Sequence, residues 1–324
     1  MLDKVLVEDF VLIWRHRGFL EALRNVRAYV RRTIYYRSGV ENFLRYYLDT
    51  DGKNTILWAI YKNLYSRQLE REIGEGIEIM SEDWDNLIIL DAYRADYFKE
   101  YSQFKGEFSE VVSRGDHSHE FIKKNFKGRF WDTLVISANV WYEKSPFTDE
   151  NTFFKLINPV SNRRSDHRLV SEVAIEQNQR HPDKRLIIHY MSPHSPFEGE
   201  IAENLVERPW RGMYHMFKSG VIEKGVLRES YRETIQIIEQ EVETVLPYLQ
   251  GRTVITSDHG ENLGEKQHGM TLHSHGHPSK ECRIVPWLVI DSDERKTVND
   301  DEPEQDEVLS DIELNQRLEY LGYK

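Results

Sequence analysis

The chain has 324 residues, of which 39% are hydrophobic and 12% aromatic, so it can bury a substantial core. Its formal net charge of −12 argues against general nucleic-acid binding. The single cysteine, Cys282, cannot form an internal disulfide. We find no signal peptide and no apolar run of about 18 residues, and we therefore expect a cytoplasmic protein.

Residues 1–80 are predicted to form a helical N-terminal arm. The stretch 15–45 holds eight arginines, no lysine and only two acids. Hydrophobic residues recur in it every three or four positions, which predicts an amphipathic helix: Phe19, Leu23, Val26, Val30 and Ile34. Two interpretations stay open. Either the arm packs on the main domain with a solvated arginine face, or Arg24, Arg27 and Arg31 dock peripherally on an anionic membrane or a lipid-linked substrate.

Short apolar runs separated by helix-like stretches make up the next part of the chain. The clearest helical pattern spans 228–249. Strands that alternate with helices predict an α/β fold, with a mostly parallel central sheet flanked by helices on both faces. We expect this α/β domain to span 81–291, followed by an acidic tail with a short helix, 292–324. The predicted strands are 87–90, 133–137, 185–189, 253–256 and 284–290.

Polar side chains follow two of these strands. Asp91 comes directly after the first, and Asp258 and His259 follow the fourth. Ligands bind at the carboxyl ends of strands in open α/β sheets, so we expect these residues to share one site. Carboxylate oxygen together with imidazole nitrogen suits Zn²⁺ or Mn²⁺. The residues alone therefore favour a metal-dependent hydrolase.

The histidines are clustered as well. Nine of the thirteen fall in the windows 117–119, 189–194 and 259–277. Each window follows a predicted strand or opens a predicted helix. Together with the strand-end aspartates, this clustering favours a site with one or two metal ions over isolated turns and helix caps.

These motifs, in this order, resemble the alkaline phosphatase superfamily, in its sulfatase-like branch. The resemblance covers about residues 84–291 and implies an α/β core that hydrolyses or transfers a phosphate or sulfate ester. It rests on the segments Asn86–Asp96, His189–Phe197, Thr256–Glu265, Gly276–Pro278 and Val285–Trp287.

The resemblance also implies roles for single residues. Asp91 matches the first metal carboxylate, and Asp258 and His259 match the later Asp-His pair. His277 matches a histidine that completes a metal site or contacts the substrate. His194 matches the histidine of a Pro-His-x-Pro signature that faces the transferred group.

The nucleophile should lie shortly after the first strand, at the start of a helix. We choose Ser118 there, since backbone donors and the helix dipole would bind an anion and a metal would activate its hydroxyl. Ser113 is the fallback, and Ser118 as a simple helix cap is the structural alternative. Its neighbours His117 and His119 are candidates to bind the ester oxygens or to protonate the leaving group.

Two further residues are candidates for substrate binding. His189 opens the segment that contains the matched His194. Arg94 follows the first strand by a few residues, where it can contact an oxyanion or form an ion pair with Asp96.

The sequence departs from the family in two respects. It lacks the Cys/Ser-x-Pro-x-Arg motif that sulfatases convert to an aldehyde, and Cys282 is far from that place. It also lacks the Asp-x-x-x-His pair with which two-metal relatives hold their second ion.

We therefore expect a metal-dependent hydrolase or phosphotransferase of phosphate esters that uses one divalent ion (Mn²⁺, Zn²⁺ or Mg²⁺), and the presence of a second ion stays open. The expected partner is a phosphate- or sulfate-ester substrate and not a nucleic acid. Two alternatives stay open: a sulfuric ester hydrolase that uses unmodified Ser118, and a non-catalytic anion-binding protein that kept the fold.

Overall fold

A computed structural model of the chain describes residues 56–144, 148–160, 166–205, 213–218, 220–268 and 270–304. Seven strands form the central sheet, and two more form a separate hairpin. The sheet strands are β1 (Asn86–Leu90), β2 (Glu107–Val112), β3 (Phe130–Ser137), β4 (Phe153–Ile157), β5 (Arg185–Tyr190), β6 (Thr253–Thr256) and β9 (Ile284–Ile290). The hairpin strands are β7 (Asn262–Gln267) and β8 (Met270–Ser274).

The strand order in the sheet is β2-β9-β6-β1-β5-β3-β4. The pairs β6-β1, β1-β5, β5-β3 and β3-β4 are parallel, whereas β9 is antiparallel to both of its neighbours. The predicted mostly parallel sheet is thus confirmed. In this order β1 lies between β5 and β6. The carboxyl ends of β1 and β6, which are followed by the predicted site residues, are therefore adjacent.

Helices cover the sheet, as predicted. The helix predicted over 228–249 is present as Lys224–Val245, so it begins and ends four residues earlier than predicted. It buries an apolar stripe that includes Tyr231, Ile235 and Val242. None of the helices in the described part of the chain is both long enough and apolar enough to cross a membrane. The helices are α1 (Ile56–Ile73), α2 (Ala95–Tyr101), α3 (Ser118–Asn125), α4 (Trp141–Lys144), α5 (His167–Arg180), α6 (Glu200–Leu205), α7 (Met213–Lys218), α8 (Lys224–Val245) and α9 (Lys280–Arg283).

The core has two parts, one on each face of the sheet. Successive residues of β1 point to opposite faces, so Ile88 and Leu90 pack in one cluster and Leu87 and Ile89 in the other. All four are fully buried, which explains the uninterrupted apolar run. Each such side chain stabilises the fold by about 1.5–3 kcal/mol on burial, so the end of β1 is held firmly.

The two ends of the chain are described in part. Helix α1 lies in the predicted helical arm, whereas Arg24, Arg27 and Arg31 lie outside the described residues. The predicted C-terminal helix also lies outside them. The first part of the predicted acidic tail packs on the body of the protein: Lys296 donates to Asn178 Oδ1 at 2.7 Å and to a backbone carbonyl at 3.0 Å, and burial lowers its pKa to about 8.

Candidate active site

The centre of the site lies where β1 and β6 end. The two strands pair in register, with Ile89 opposite Thr256, and Asp91 and Asp258 follow two residues later. One ligand atom each of Asp91, Asp258 and His259 lies within 4.8 Å of the other two, and all three residues are buried. The structure thus brings together the two strand ends, as a parallel sheet requires.

Backbone groups fix Asp258 and His259, which follow β6 closely in the sequence. Asp258 Oδ1 accepts hydrogen bonds from the backbone N–H groups of Ala92 (3.2 Å) and His259 (2.9 Å). His259 Nδ1 lies 2.9 Å from the carbonyl oxygen of Gly260, so Nδ1 carries the proton and donates it. His259 Nε2 consequently faces the carboxylates, at 3.3 Å from Asp91 Oδ1 and 3.5 Å from Asp258 Oδ2.

Asp91 is surrounded by groups from β5 and from the segment after β3. Asn139, which follows β3, donates from Nδ2 to Asp91 Oδ2 at 2.9 Å. His189 on β5 is fully buried, and its Nε2 lies 3.7 Å from Oδ2 of both Asp91 and Asp258. Its Nδ1 lies 3.2 Å from the Tyr142 hydroxyl. The predicted substrate contact His189 therefore lies beside the two carboxylates, within hydrogen-bonding range of Tyr142.

The donor atoms of this group fit a divalent cation. Asp91 Oδ1 and Asp258 Oδ2 are buried and accept no hydrogen bond from the described residues. A buried carboxylate oxygen without a hydrogen-bond donor raises the free energy of the folded state unless a cation neutralises its charge. Ligands of a tetrahedral zinc ion are about 3.3 Å apart, since each bond measures about 2.0–2.1 Å. The 3.3 and 3.5 Å separations from His259 Nε2 match that spacing.

The carboxylates and imidazoles of this group shift one another's pKa. Burial alone would raise the pKa of Asp91, but the nearby imidazoles of His189, His194 and His259 hold it below its usual range. Burial alone would lower the pKa of His259, but the Asp258 and Asp91 carboxylates raise it to about 8. A proton on His259 therefore partly neutralises the two carboxylates, and a divalent ion would do so more completely.

The Ser118 hydroxyl lies next to the Asp91 carboxylate of this group. It is the first residue of α3 and is 7% exposed. Its hydroxyl donates to Asp91 Oδ2 at 3.1 Å and lies 3.4 Å from His259 Nε2. The hydroxyl of the fallback residue Ser113 instead donates to the backbone carbonyl of Asp258. The structure thus brings Ser118, and not the Ser113 hydroxyl, to the candidate metal ligands.

A second group of possible ligands lies next to the first. His194 Nε2 is 3.2 Å from His275 Nδ1, which is 3.3 Å from Glu261 Oε1. The rings of His259 and His275 have their centroids 4.8 Å apart. Burial alone would raise the pKa of Glu261, but the hydrogen bond with His275 and the nearby histidines lower it. The structure therefore places the predicted catalytic residue His194 beside the strand-end site.

Glu261 and His275 were not among the sequence candidates. The signal for Glu261 was its place directly after the Asp-His-Gly turn, and His275 lies in the third histidine window. His277, the predicted ligand in that window, is buried but belongs to none of the three ligand groups found among the described residues. Asn139 was missed too, because a single amide after a strand is a common feature.

Arg94, a predicted substrate contact, forms ion pairs within the protein. Its guanidinium lies 2.6 Å from Asp96 and 2.8 Å from Glu265, and it donates to the Glu261 carbonyl at 3.2 Å. The contact with Asp96 is the alternative that the sequence left open. Arg94 therefore supports the backbone at Glu261.

The two histidines beside Ser118 are partly exposed. His117 Nδ1 is hydrogen-bonded to Asp116, and the His119 ring lies 4.8 Å from the Trp141 ring. Burial and the neighbouring His117 lower the pKa of His119. Neutral His119 is therefore the prevailing form near neutral pH.

The chain is similar to several solved structures. No curated protein matches it significantly. Identities of 12–15% and TM-scores below 0.5 are too low to transfer a substrate or a residue role. One of these solved structures is the C-terminal periplasmic domain of EcEptC from Escherichia coli in complex with Zn. It is 14% identical to this chain, the match covers 64% of this chain and 72% of that chain, and the TM-score is 0.46. A second is a putative sulfatase from Bacteroides thetaiotaomicron VPI-5482 (12% identity, 65% of this chain and 65% of that chain, TM-score 0.44). A third is the integral membrane protein lipooligosaccharide phosphoethanolamine transferase A from Neisseria meningitidis (15% identity, 85% of this chain and 61% of that chain, TM-score 0.39).

The family of the chain follows from its sequence. The model of the sulfatase family matches residues 91–314, which is more than half of the chain. The match begins at Asp91, the first candidate metal ligand, and includes Ser118, Asp258 and His259. It confirms the resemblance indicated by the motifs: this chain belongs to the sulfatase family.

Proposed function

We propose that this protein is a metal-dependent hydrolase or phosphotransferase of phosphate esters, with Ser118 as its nucleophile. The observation that carries this proposal is the position of the Ser118 hydroxyl, 3.1 Å from Asp91 Oδ2 and 3.4 Å from His259 Nε2. A helix-capping serine would not require a buried carboxylate and a buried imidazole at its hydroxyl. A nucleophilic serine does require such partners.

Asp91, Asp258 and His259 would hold one divalent ion, Mn²⁺, Zn²⁺ or Mg²⁺. When bound, the ion supplies Lewis acidity that lowers the pKa of a nearby hydroxyl and neutralises charge on the phosphoryl group. The protein's part is to fix the donor atoms, through the backbone bonds to Asp258 and the bond from Asn139 to Asp91.

The reaction then proceeds in two displacements at phosphorus. Ser118 Oγ forms the new O–P bond while its proton passes to the accepting Asp91 Oδ2. The bond to the leaving oxygen breaks, and that oxygen takes a proton from the partly exposed His117, whereas His119, which is neutral, binds an ester oxygen. Water or an acceptor alcohol next displaces Ser118 from phosphorus; its proton passes to His117, and Ser118 Oγ takes back the proton from Asp91 Oδ2, which restores the serine. His194 faces the transferred group and stabilises its oxygens.

An unmodified serine favours phosphate over sulfate as the transferred group. Ser118 is followed by His119 and Glu120, so the sequence around it lacks the Pro and Arg positions needed for conversion to an aldehyde. The route to sulfate esters that relies on that aldehyde is therefore closed to this chain.

A substrate panel tests the proposal. Purified protein is loaded with Mn²⁺, Zn²⁺ or Mg²⁺, or stripped with EDTA, and is offered p-nitrophenyl phosphate, bis(p-nitrophenyl) phosphate and p-nitrophenyl sulfate. We expect turnover of a phosphate ester that EDTA abolishes, and a phosphorylated Ser118 peptide in mass spectra of rapidly quenched samples. Faster turnover of the sulfate would make it a sulfatase. Phosphate binding without turnover of any ester would make it an anion-binding protein.

A further inference from the structure

Helix α1 lies outside the part matched by the family model, yet it contacts the loop that carries Ser118. Lys62 of α1 lies 2.9 Å from Asp116 Oδ1, two residues before Ser118. The Asp116 side chain is 3% exposed and that of Lys62 27%. A carboxylate buried to this extent needs cationic or hydrogen-bonding partners to stay ionised. Two groups meet Asp116 Oδ1: Nδ1 of the neighbouring His117, and the ammonium group of Lys62 from helix α1.

Asp116 connects two segments of the active site. Its backbone N–H donates to Glu120 Oε2 at 3.1 Å, in the first turn of the helix that begins with Ser118. Its carbonyl oxygen accepts from the N–H of Gly276 at 2.8 Å, directly after His275. Asp116 is thus the point at which the Ser118 loop and the His275 segment are joined.

The same helix also contacts the hairpin that leads to His275. The Tyr61 hydroxyl lies 3.0 Å from His268 Nδ1, and the Tyr65 ring centroid lies 3.9 Å from that of His268. His268 is at the tip between β7 and β8, and β8 ends at Ser274. Helix α1 therefore touches both segments that Asp116 joins.

We propose that Lys62 is a positioning residue, which acts through Asp116 to fix the distance between Ser118 and the second ligand group at His275. This inference rests on the proposed function. Without the lysine charge, Asp116 Oδ1 keeps only the His117 contact, and we expect the buried carboxylate to shift and the backbone bond to Gly276 to weaken. A displacement of about 1 Å between reacting groups can cost about 100-fold in rate. Helix α1 is then a part of the catalytic unit.

Three variants of the full chain test this role. Lys62→Met removes the charge and keeps most of the volume, Lys62→Arg keeps the charge, and Glu72→Gln breaks the exposed ion pair of the same helix with Lys280. For p-nitrophenyl phosphate we expect kcat of Lys62→Met to fall about tenfold or more with KM changed less than about threefold, because the loss affects the transition state. Lys62→Arg should recover most of kcat, and Glu72→Gln should match the wild type.

A double-mutant cycle separates positioning from general destabilisation. Asp116→Asn removes the buried charge and keeps the backbone bonds, so Lys62→Met should change kcat less than about twofold in that background. An equal loss of kcat in both backgrounds would overturn the inference. The double variant has no unpaired buried charge, so it also provides a folded reference if Lys62→Met alone is unstable.

Calorimetric binding of orthovanadate, which mimics the five-coordinate phosphoryl group, supplies a readout that does not need turnover. We expect Lys62→Met to bind it about tenfold more weakly than the wild type. If the wild type turns over esters and Lys62→Met keeps both kcat and vanadate affinity, the inference is wrong and the proposed function stands. If the wild type turns over no ester, the proposed function is wrong. The inference then fails too unless vanadate binding depends on Lys62.

Discussion

Replacement of Ser118 by alanine separates the proposed covalent mechanism from direct attack by water. The change removes an oxygen 3.1 Å from Asp91 Oδ2 and leaves the donor atoms of Asp91, Asp258 and His259 in place. The lost hydrogen bond should lower the free energy of unfolding by about 1 kcal/mol. The lost nucleophile should lower kcat about 10³-fold or more, which is about 4 kcal/mol of barrier, with some residual attack by water. Ser118→Ala should therefore be folded, metal-loaded and nearly inactive.

Ser113→Ala is the matched control for this measurement. Its hydroxyl donates to the Asp258 carbonyl, so its removal should affect stability by about 1–2 kcal/mol and kcat far less than Ser118→Ala. The assay follows p-nitrophenol release with metal content measured on the same samples. A larger loss in Ser113→Ala would move the nucleophile to that residue. Near-normal kcat in both variants would refute a serine nucleophile.

Three other predictions concern metal, pH and membranes. Asp258→Ala should lose most of the bound metal, and unchanged metal content by elemental analysis would remove Asp258 from the ligand set. Burial lowers the pKa of Lys296 to about 8, so the unfolded state binds the extra proton above that pH and stability rises with pH. Between pH 8 and 10 urea unfolding should show the wild type gaining about 2 kcal/mol relative to Lys296→Met, and parallel curves would contradict this. Joint replacement of Arg24, Arg27 and Arg31 by Gln should abolish sedimentation with anionic vesicles and leave ester turnover unchanged. A wild type that fails to sediment at low salt would leave only a packing role.

The strands that could be predicted from the sequence are those buried on both faces of the sheet. Both faces of β1 are covered, so its residues Leu87 to Leu90 are all apolar and the strand was recognisable. The edge strand β2 was missed because its residues Glu107 and Glu110 are exposed and interrupt any apolar pattern. The β7–β8 hairpin was missed because β7 has the polar sequence of residues 262–267. Edge strands and hairpins without a fully buried face leave little periodic signal.

In the candidate site, too, some contacts could be predicted from the sequence and others could not. The adjacency of Asp91 and Asp258 follows from strand direction alone, so the sequence could predict it. The contact of Glu261 with His275 depends on how the β7–β8 hairpin folds back, and the pairing of Lys62 with Asp116 depends on where a helix docks. No short-range pattern in the sequence encodes these distances.

The ligand atoms of the strand-end site come from positions far apart in the chain, and this affects folding. Asp91 and Asp258 meet only when β1 and β6 have paired, and this pairing closes a long loop. Apart from the neighbouring pair Asp258 and His259, the unfolded chain offers no preformed chelate from this set. A divalent ion should therefore bind the native state almost exclusively and stabilise it by RT ln(1 + [M]/Kd), about 2.7 kcal/mol at 100 times Kd. The proposed ion would then stabilise the folded protein even in the absence of substrate.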